Sequence, residues 1–428
     1  MGLWRMKTCI CPAPMCGVAG TSRLIMACQV VVIGGGAAGF FAAITCAEAN
    51  PQARVVILEK TPHVLAKVRI SGGGRCNVTH ACFDPAELIR HYPRGGLALR
   101  GPFTRFQPRD TIAWFEQRGV RLKTEADGRV FPITNRSETI VNCLIDAART
   151  AEVDIRSGVH IRSVTKPDRF LIDLKGDAAL SADRVLLATG SNAHGHEWAA
   201  ALGHTIEPPV PSLFTFEIDD ARLKDLPGIS VDKAAIKLSG TRLAQTGPIL
   251  ITHCGLSGPA VLRLSAWAAR ELAQRRYRAE VSIDWLPDLN AEQLHRQLIA
   301  SKAELARRTV GASSPLRLPA RLWKRLVGTV GIGDDQKWGT VSKRQLADLA
   351  NELSRGTFLI TGKGAFKEEF VTCGGVRLDE VGFKTMESRR CAGLYLAGEI
   401  LDIDGVTGGF NFQSAWTTGW LAGQAMGK

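Results

Sequence analysis

Gly34, Gly36 and Gly39, in the run Gly34-Gly35-Gly36-Ala37-Ala38-Gly39, stand at the spacing with which a chain wraps a pyrophosphate. Gly34 would make the tight turn, Gly36 would let the backbone approach the phosphates, and Gly39 would let a helix pack closely on a strand. A helix starting at Ala37 and Ala38 would point unpaired N–H groups and a partial positive charge at the anion. Glu59 follows about 20 residues beyond the last glycine, where a ribose hydroxyl needs an acceptor, with Lys60 beside it. The competing reading, a purely structural Gly-rich turn, leaves the placement of that acid unexplained.

A second glycine run, Ser71-Gly72-Gly73-Gly74-Arg75-Cys76-Asn77, cannot sustain a regular element and reads as a loop whose backbone approaches something closely. In it, Arg75 would pair with a phosphate and Asn77 would bond the edge of a ring. The plainer alternative is a tight turn packed against the first motif. Cys76 is a candidate redox thiol or merely a lining residue, since no CxxC partner accompanies it. A third segment carries Gly398 and Glu399, then Asp402, Asp404 and Gly405, then Gly408-Gly409-Phe410-Asn411-Phe412-Gln413. Glu399 would bond a polyol hydroxyl, and a helix N-terminus at Gly409, Asn411 and Phe412 would favour an anionic reduced ring. A plain helix cap is the alternative there, and Asp402 and Asp404 read equally as turn residues. Lys67, Thr189 and Gly190 complete the candidate cofactor contacts. His253, on a Gly-rich stretch, is a candidate for substrate contact or acid/base work, with a structural histidine as the alternative.

These residues need buried parallel strands beneath them. Gln29–Ile33, Arg54–Leu58, Asp183–Ala188 and Gly393–Ala397 are short, β-branched or leucine-rich runs followed by glycine or acid, the pattern of strands covered on both faces. The spacing predicts a helix from Ala37 to about Ala49, ended by Pro51, and a terminal helix from about Asn411 to Met426. Between these ends lies a stretch of other character, opened by Pro208, Pro209 and Pro211. It has alternating segments such as Ala234–Leu238 and then a helix-rich part. The organisation expected is a disordered N-terminal extension (1–26) and a first dinucleotide-binding part (27–200). An inserted region (201–360) follows, β-rich at about 201–288 and 353–360 and helical at about 289–352, and then a second binding part (361–428).

A chain of 428 residues, 45% apolar and 22% charged, has material for two or three cores. No stretch approaches the ~20 uninterrupted apolar residues that a membrane span needs. The net charge of +13 admits a polyanion partner. However, the basic runs Arg270–Arg278 and Arg317–Arg325 are interleaved with apolar residues at helical spacing and read as solvated helix faces, which makes nucleic acid the minority reading. Eleven cysteines without disulfide spacing fit a cytoplasmic protein, and no metal is expected. Cys9, Cys11 and Cys16 fall in a Pro/Gly-containing tail that reads as dispensable, with Met26 a candidate start.

The segments Val31–Gly39, Ser71–Thr79, Thr252–Ala260, Thr372–Val376 and Gly393–Gln413, in this order, resemble the aminoacetone oxidase family of FAD-binding oxidoreductases, also called BaiN-like, from about residue 28 to the end. The resemblance implies an α/β protein whose discontinuous Rossmann-like FAD-binding domain carries an inserted β-rich domain and a helical subdomain. It carries FAD contacts onto Gly34, Gly36, Gly39, Glu59, Ser71–Asn77, Gly398, Glu399 and Asn411. Two departures, Leu65-Ala66 where family members carry Gly-Arg and a short Gly190–Gly195 stretch, would alter the active-site rim. No second G-x-G-x-x-G stands at a strand–helix junction, so NAD(P)H is expected only as a transient donor. The expected activity is hydride transfer between a small organic substrate, an amine or an activated double bond, and flavin N5. The other class carried forward is a flavin-dependent RNA-modifying or RNA-binding protein. Oligomeric state is left open.

Overall fold

The structure is a computed structural model that describes residues 1, 2, 28–364 and 371–428. The Cys9, Cys11 and Cys16 cluster and Met26 lie outside the described residues. The chain starts on β1 (Gln29–Ile33), whose Val30, Val31 and Val32 are fully buried, and runs through α1 (Ala37–Ala49) into β2 (Arg54–Leu58). Later segments add β3 (Asp154–Arg156), β4 (Arg184–Leu187), β5 (Val381–Gly382), β6 (Glu387–Ser388) and β7 (Leu394–Leu396), before the closing helix α2 (Phe410–Met426). The seven strands form one sheet in the order β5-β6-β7-β4-β1-β2-β3. The five from β7 to β3 are parallel, and the β5–β6 hairpin is antiparallel at one edge. Ile33 pairs with Leu58 and Leu187, and Leu187 with Leu396. Four strands therefore end at one level, and the residues that follow each of them emerge along one edge of the sheet.

α1 and α2 pack against each other through small residues. A Cβ at Gly419 would meet the Ala38 carbonyl oxygen at 2.6 Å, and one at Gly423 the Ala42 carbonyl oxygen at 2.5 Å. The two ends of the chain are thus held in backbone contact, with Trp416 and Phe41 filling the space beside them at a ring separation of 5.4 Å.

A second hydrophobic core spans Phe214 to Ile360. Its seven-stranded antiparallel sheet contains Ser230–Leu238, Ala244–Thr252 and Ala279–Asp284, and against it pack helices Ala291–Glu304, Ala320–Thr329 and Lys343–Arg355. The stretch expected to be β-rich also holds two helices, Pro259–Trp267 and Ala269–Gln274. Gly258 and Pro259 supply the turn and the first helical position, a start signal hidden within a glycine-rich run. Ile206–Ser212 pairs antiparallel with Val371–Val376, so the two chain passages between the cores run side by side. Their register shifts between Glu207 and Val210, across Pro208 and Pro209, which have no N–H to give the ladder.

Two carboxylates beyond β7 tie the cores together. Asp404, fully buried, receives the Arg94 guanidinium and the Ser212 hydroxyl at 2.7 Å, while Arg94 also donates to the Ala266 carbonyl at 2.7 Å. Asp402 binds Arg270 at 2.7 Å and the Gly374 N–H at 3.0 Å. Both residues do more than stabilise their own turn.

Replacing Gly423 with Ala should force α1 and α2 apart and destabilise the protein by about 1–3 kcal/mol, the usual cost of overpacking. Denaturant unfolding reads this directly, and an unchanged midpoint would show that the helix contact is not tight.

Candidate functional site

The glycine motif lies where β1 meets α1. Gly34 adopts φ +113, and a Cβ there would stand 2.3 Å from the Ala188 carbonyl oxygen, so only glycine fits between β1 and the end of β4. A Cβ on Gly39 would reach the Gly34 carbonyl oxygen at 2.0 Å, whereas one on Gly36 would project into open space. The N-terminus of α1 has no side-chain cap, so its free N–H groups face that space. Ala37 is partly exposed there, while Ala38 is buried against α2 and serves helix packing.

Glu59 follows β2. Its Oε2 accepts the Gly35 N–H at 2.8 Å, and its Oε1 accepts the Thr61 N–H and hydroxyl, each at 2.8 Å. Oε2, with one bond made, keeps acceptor capacity for a further hydroxyl. Glu59, Lys60, Gly34 and Thr189 line one cavity together with His160 and Trp198. The Thr189 hydroxyl is buried without a partner at this cavity, a polar group in need of a ligand.

Next along the edge, Glu399 bonds Lys67 and accepts the Thr372 N–H at 3.0 Å. A Cβ on Gly190 would stand 3.5 Å from Glu399 Oε2. Gly398 donates its N–H to the Thr418 hydroxyl at 3.0 Å. His196, 6% exposed, keeps an unpartnered Nε2 nearby.

The second glycine run extends a helix, Ala66–Gly74, but Ser71, Gly72 and Gly73 leave helical geometry, with Gly72 and Gly73 left-handed. Cβ atoms on Gly73 and Gly74 would meet nothing within 4 Å, so this backbone faces open space. Asn77 joins the run to the start of α2: its amide donates to the Thr79 carbonyl and accepts the Gly409 N–H, each at 3.0 Å. Asn411 bonds both the N–H and the carbonyl of Gly405 at 2.8 Å, so it shapes the loop before α2. Phe412 stacks on Trp416 at 5.6 Å.

Two sequence expectations need correction. Arg75 does not reach toward a phosphate; it pairs with Glu125 at 2.7 Å and lies 4.0 Å over the Phe131 ring, which already satisfy its charge and flat face. Cys76 is fully buried, and burial pushes its thiol up to about 12, which removes the thiolate that redox or nucleophilic chemistry requires. His253, the substrate-contact candidate, sits exposed on the hairpin turn between Ala244–Thr252 and Gly255–Ser257, without a partner among the described residues. Sequence reasoning missed Trp198 and His196, which have no local motif, and an imidazole–phenyl stack of His80, His91 and Phe410, assembled from separate segments.

Gly34–Gly36, Glu59, Thr189 and Glu399 follow β1, β2, β4 and β7, and they line the carboxyl edge of the parallel sheet, where open α/β sheets bind their ligands. The chain matches the HI0933-like protein Rossmann domain over residues 28–425. It belongs to that family. It is 29% identical over 407 residues to the 3-dehydro-bile acid delta(4,6)-reductase of Clostridium scindens, covering 93% of this chain and 98% of that protein. It is likewise 29% identical over 410 residues to the ribosomal RNA dihydrouridine synthase of Escherichia coli, covering 92% and 97%. The fold is similar to that of a 3-ketosteroid-delta4-(5alpha)-dehydrogenase from Rhodococcus jostii RHA1, with TM-score 0.51, 16% identity and coverage of 96% and 99%. The protein is an FAD-dependent oxidoreductase with a Rossmann-type fold. The residues along the edge fit FAD: an uncapped helix N-terminus with open space at Gly36, an acid beside a cavity, and an unsatisfied Thr189 hydroxyl.

Glu59→Ala should weaken FAD retention about tenfold or more, the value of hydrogen bonds to a charged acceptor, as read by flavin content after dialysis. Cys76→Ser should keep its flavin and its activity, and native Cys76 should resist iodoacetamide at neutral pH. Rapid labelling there, or loss of turnover in the serine variant, would restore a chemical role for the thiol.

Proposed function

We propose that the protein reduces a carbon–carbon double bond conjugated to a carbonyl group. When bound, FAD supplies hydride transfer at its N5. The chain's own residues do the rest: Gly36 and the α1 N-terminus take the pyrophosphate, Glu59 the ribose, Glu399 and Lys67 the polyol chain, and the Ser71–Asn77 backbone with Gly409 the ring. The observation that carries the reading is the near full-length similarity to two proteins whose names share one chemistry, since a bile acid with a 4,6-diene and a uracil ring both present a C=C bond polarised by a carbonyl. In this reading residues 27–200 and 361–428 act as the FAD-binding domain, and 201–360 form the wall that closes over the substrate. NAD(P)H would act as a transient donor from the cytoplasm, for want of a second dinucleotide motif. Amine oxidation, the other activity that the family resemblance implies, is the reading this one displaces.

A second reading, in which the reduced ring is a uridine within RNA, is favoured by the net charge of +13. The two basic runs do not supply its docking surface unaided, because Arg270, Arg275 and Arg325 pair with Asp402, Glu271 and Asp225, and Arg321 donates to the Asp225 carbonyl.

Under anaerobic conditions, NADH or NADPH should bleach the flavin band, and a cyclic enone should restore it. Peroxide release on adding aminoacetone in air-saturated buffer, with no anaerobic reoxidation by enones, would replace the reductase reading with an amine oxidase. Loss of dihydrouridine from ribosomal RNA in a deletion strain, restored by the gene, would select the RNA substrate. An unchanged dihydrouridine content would remove it.

A further inference from the structure

Beside the glycines of the closing segment, three aromatic rings form a stack that none of the cofactor contacts uses. Phe410, the first residue of α2, packs against both His91, at 4.1 Å and 9° between planes, and His80, at 4.7 Å and 23°, and the two imidazoles are themselves 5.9 Å apart, so each ring touches the other two. The stack is fixed from several sides. The Tyr92 hydroxyl donates to the Phe410 carbonyl at 2.7 Å, and a Cβ on Gly408 would stand 2.8 Å from the Phe410 ring. The His80 Nε2–H donates to the Asp127 carbonyl at 3.0 Å, which leaves Nδ1 as a bare acceptor, buried and without a partner. The His91 ring is half-buried and has no hydrogen-bond partner among the described residues. Burial, His80 and the charge of Arg263 together hold it down to about 4, so the ring is neutral at physiological pH and carries one N–H to give.

Arg263 lies on the helix Pro259–Trp267 of the other core, one turn before the Ala266 carbonyl that Arg94 holds, and its charge acts on His91. It is partly buried and pairs with no carboxylate among the described residues; its one hydrogen bond there runs from Nη2 to the Thr246 carbonyl at 2.6 Å. That bond holds the guanidinium over Gly247, where a Cβ would lie 2.6 Å from Nη2. The neighbouring arginines behave differently: Arg94 and Arg270 each hold a carboxylate. A partly buried guanidinium with no carboxylate partner among the described residues, whose charge acts on a neutral imidazole, is an incomplete electrostatic arrangement that an anionic oxygen would complete.

We propose that Arg263 and His91 form the subsite for the substrate's carbonyl oxygen, the atom that gathers negative charge as a conjugated double bond is reduced. His80, Phe410 and Tyr92 hold His91 in place as positioning residues. Because Asn77 and Gly409 join the glycine run to the start of this stack, the subsite adjoins the segment assigned above to the flavin ring. The inference rests on the reductase reading for the identity of the oxygen, and on the side chains alone for its anion preference.

The test is calorimetric titration of oxidised holoenzyme with 4-nitrophenolate, a stable aromatic oxyanion, kept apart from turnover. The wild type should bind it, and Arg263→Met should weaken binding roughly ten- to hundredfold, the worth of a charged hydrogen bond, with flavin content unchanged. Arg263→Lys should recover part of the loss. His91→Phe, which keeps the stack but removes the N–H, should weaken binding about fivefold or more and serves if the Arg263 variants do not fold. Absence of binding by the wild type, or equal affinity in wild type, Arg263→Met and His91→Phe, would overturn the subsite. Failure of enones to reoxidise the reduced wild type, with phenolate binding intact, would instead remove the reductase reading and leave the oxyanion subsite standing.

Discussion

Backbone contact between α1 and α2 is the constraint on which the architecture depends. Gly419 and Gly423 let the two helices approach until a single added carbon would strike a carbonyl oxygen. That approach brings a segment near residue 400 to the same sheet edge as the glycine motif near residue 35. Were the helices a side chain further apart, Glu399 and Gly409 would be withdrawn from the Gly36 turn and the Ser71–Asn77 backbone. Close packing thereby converts a sequence separation of over 350 residues into a single binding edge.

The second core is attached by charge as well as by chain. Its two passages run as a paired ribbon, and at their base Asp404 and Asp402 each take an arginine, one from either core. Asp404 is fully buried, so removing Arg94 would leave a desolvated carboxylate, a change that costs about 3–5 kcal/mol in comparable pairs. The helix carrying Arg263 gives Arg94 its Ala266 carbonyl in its last turn, so the same network anchors that helix to the chain segment that carries His91. Structure and chemistry meet in Arg94, whose hydrogen bonds span both cores.

Much of the fold was legible because buried parallel strands and dinucleotide turns write short, local patterns. The strands at Gln29–Ile33 and Arg54–Leu58 and the helix at Ala37–Ala49 have the expected limits, since β-branched runs and glycine spacing act over a few residues. The helices at Pro259–Trp267 and Ala269–Gln274 were illegible: each is short, and a glycine-rich start masks the first. Leu65 is instructive in another way. It takes φ +59 at a position where the family resemblance implies glycine, and its fully buried side chain compensates for a backbone geometry that leucine disfavours.

The sequence by itself determined that this chain carries a dinucleotide turn, an acid to read a ribose, and a closing glycine–helix segment, because each is a local arrangement of backbone freedom and charge. Only the tertiary structure decided which polar side chains are already satisfied. Arg75 looked free and is held by Glu125 and Phe131; Cys76 looked reactive and is sealed in the core; Arg263 looked like one arginine among many and has no carboxylate partner among the described residues. Burial and pairing are properties of neighbours brought together across the fold, and no spacing along the chain encodes them.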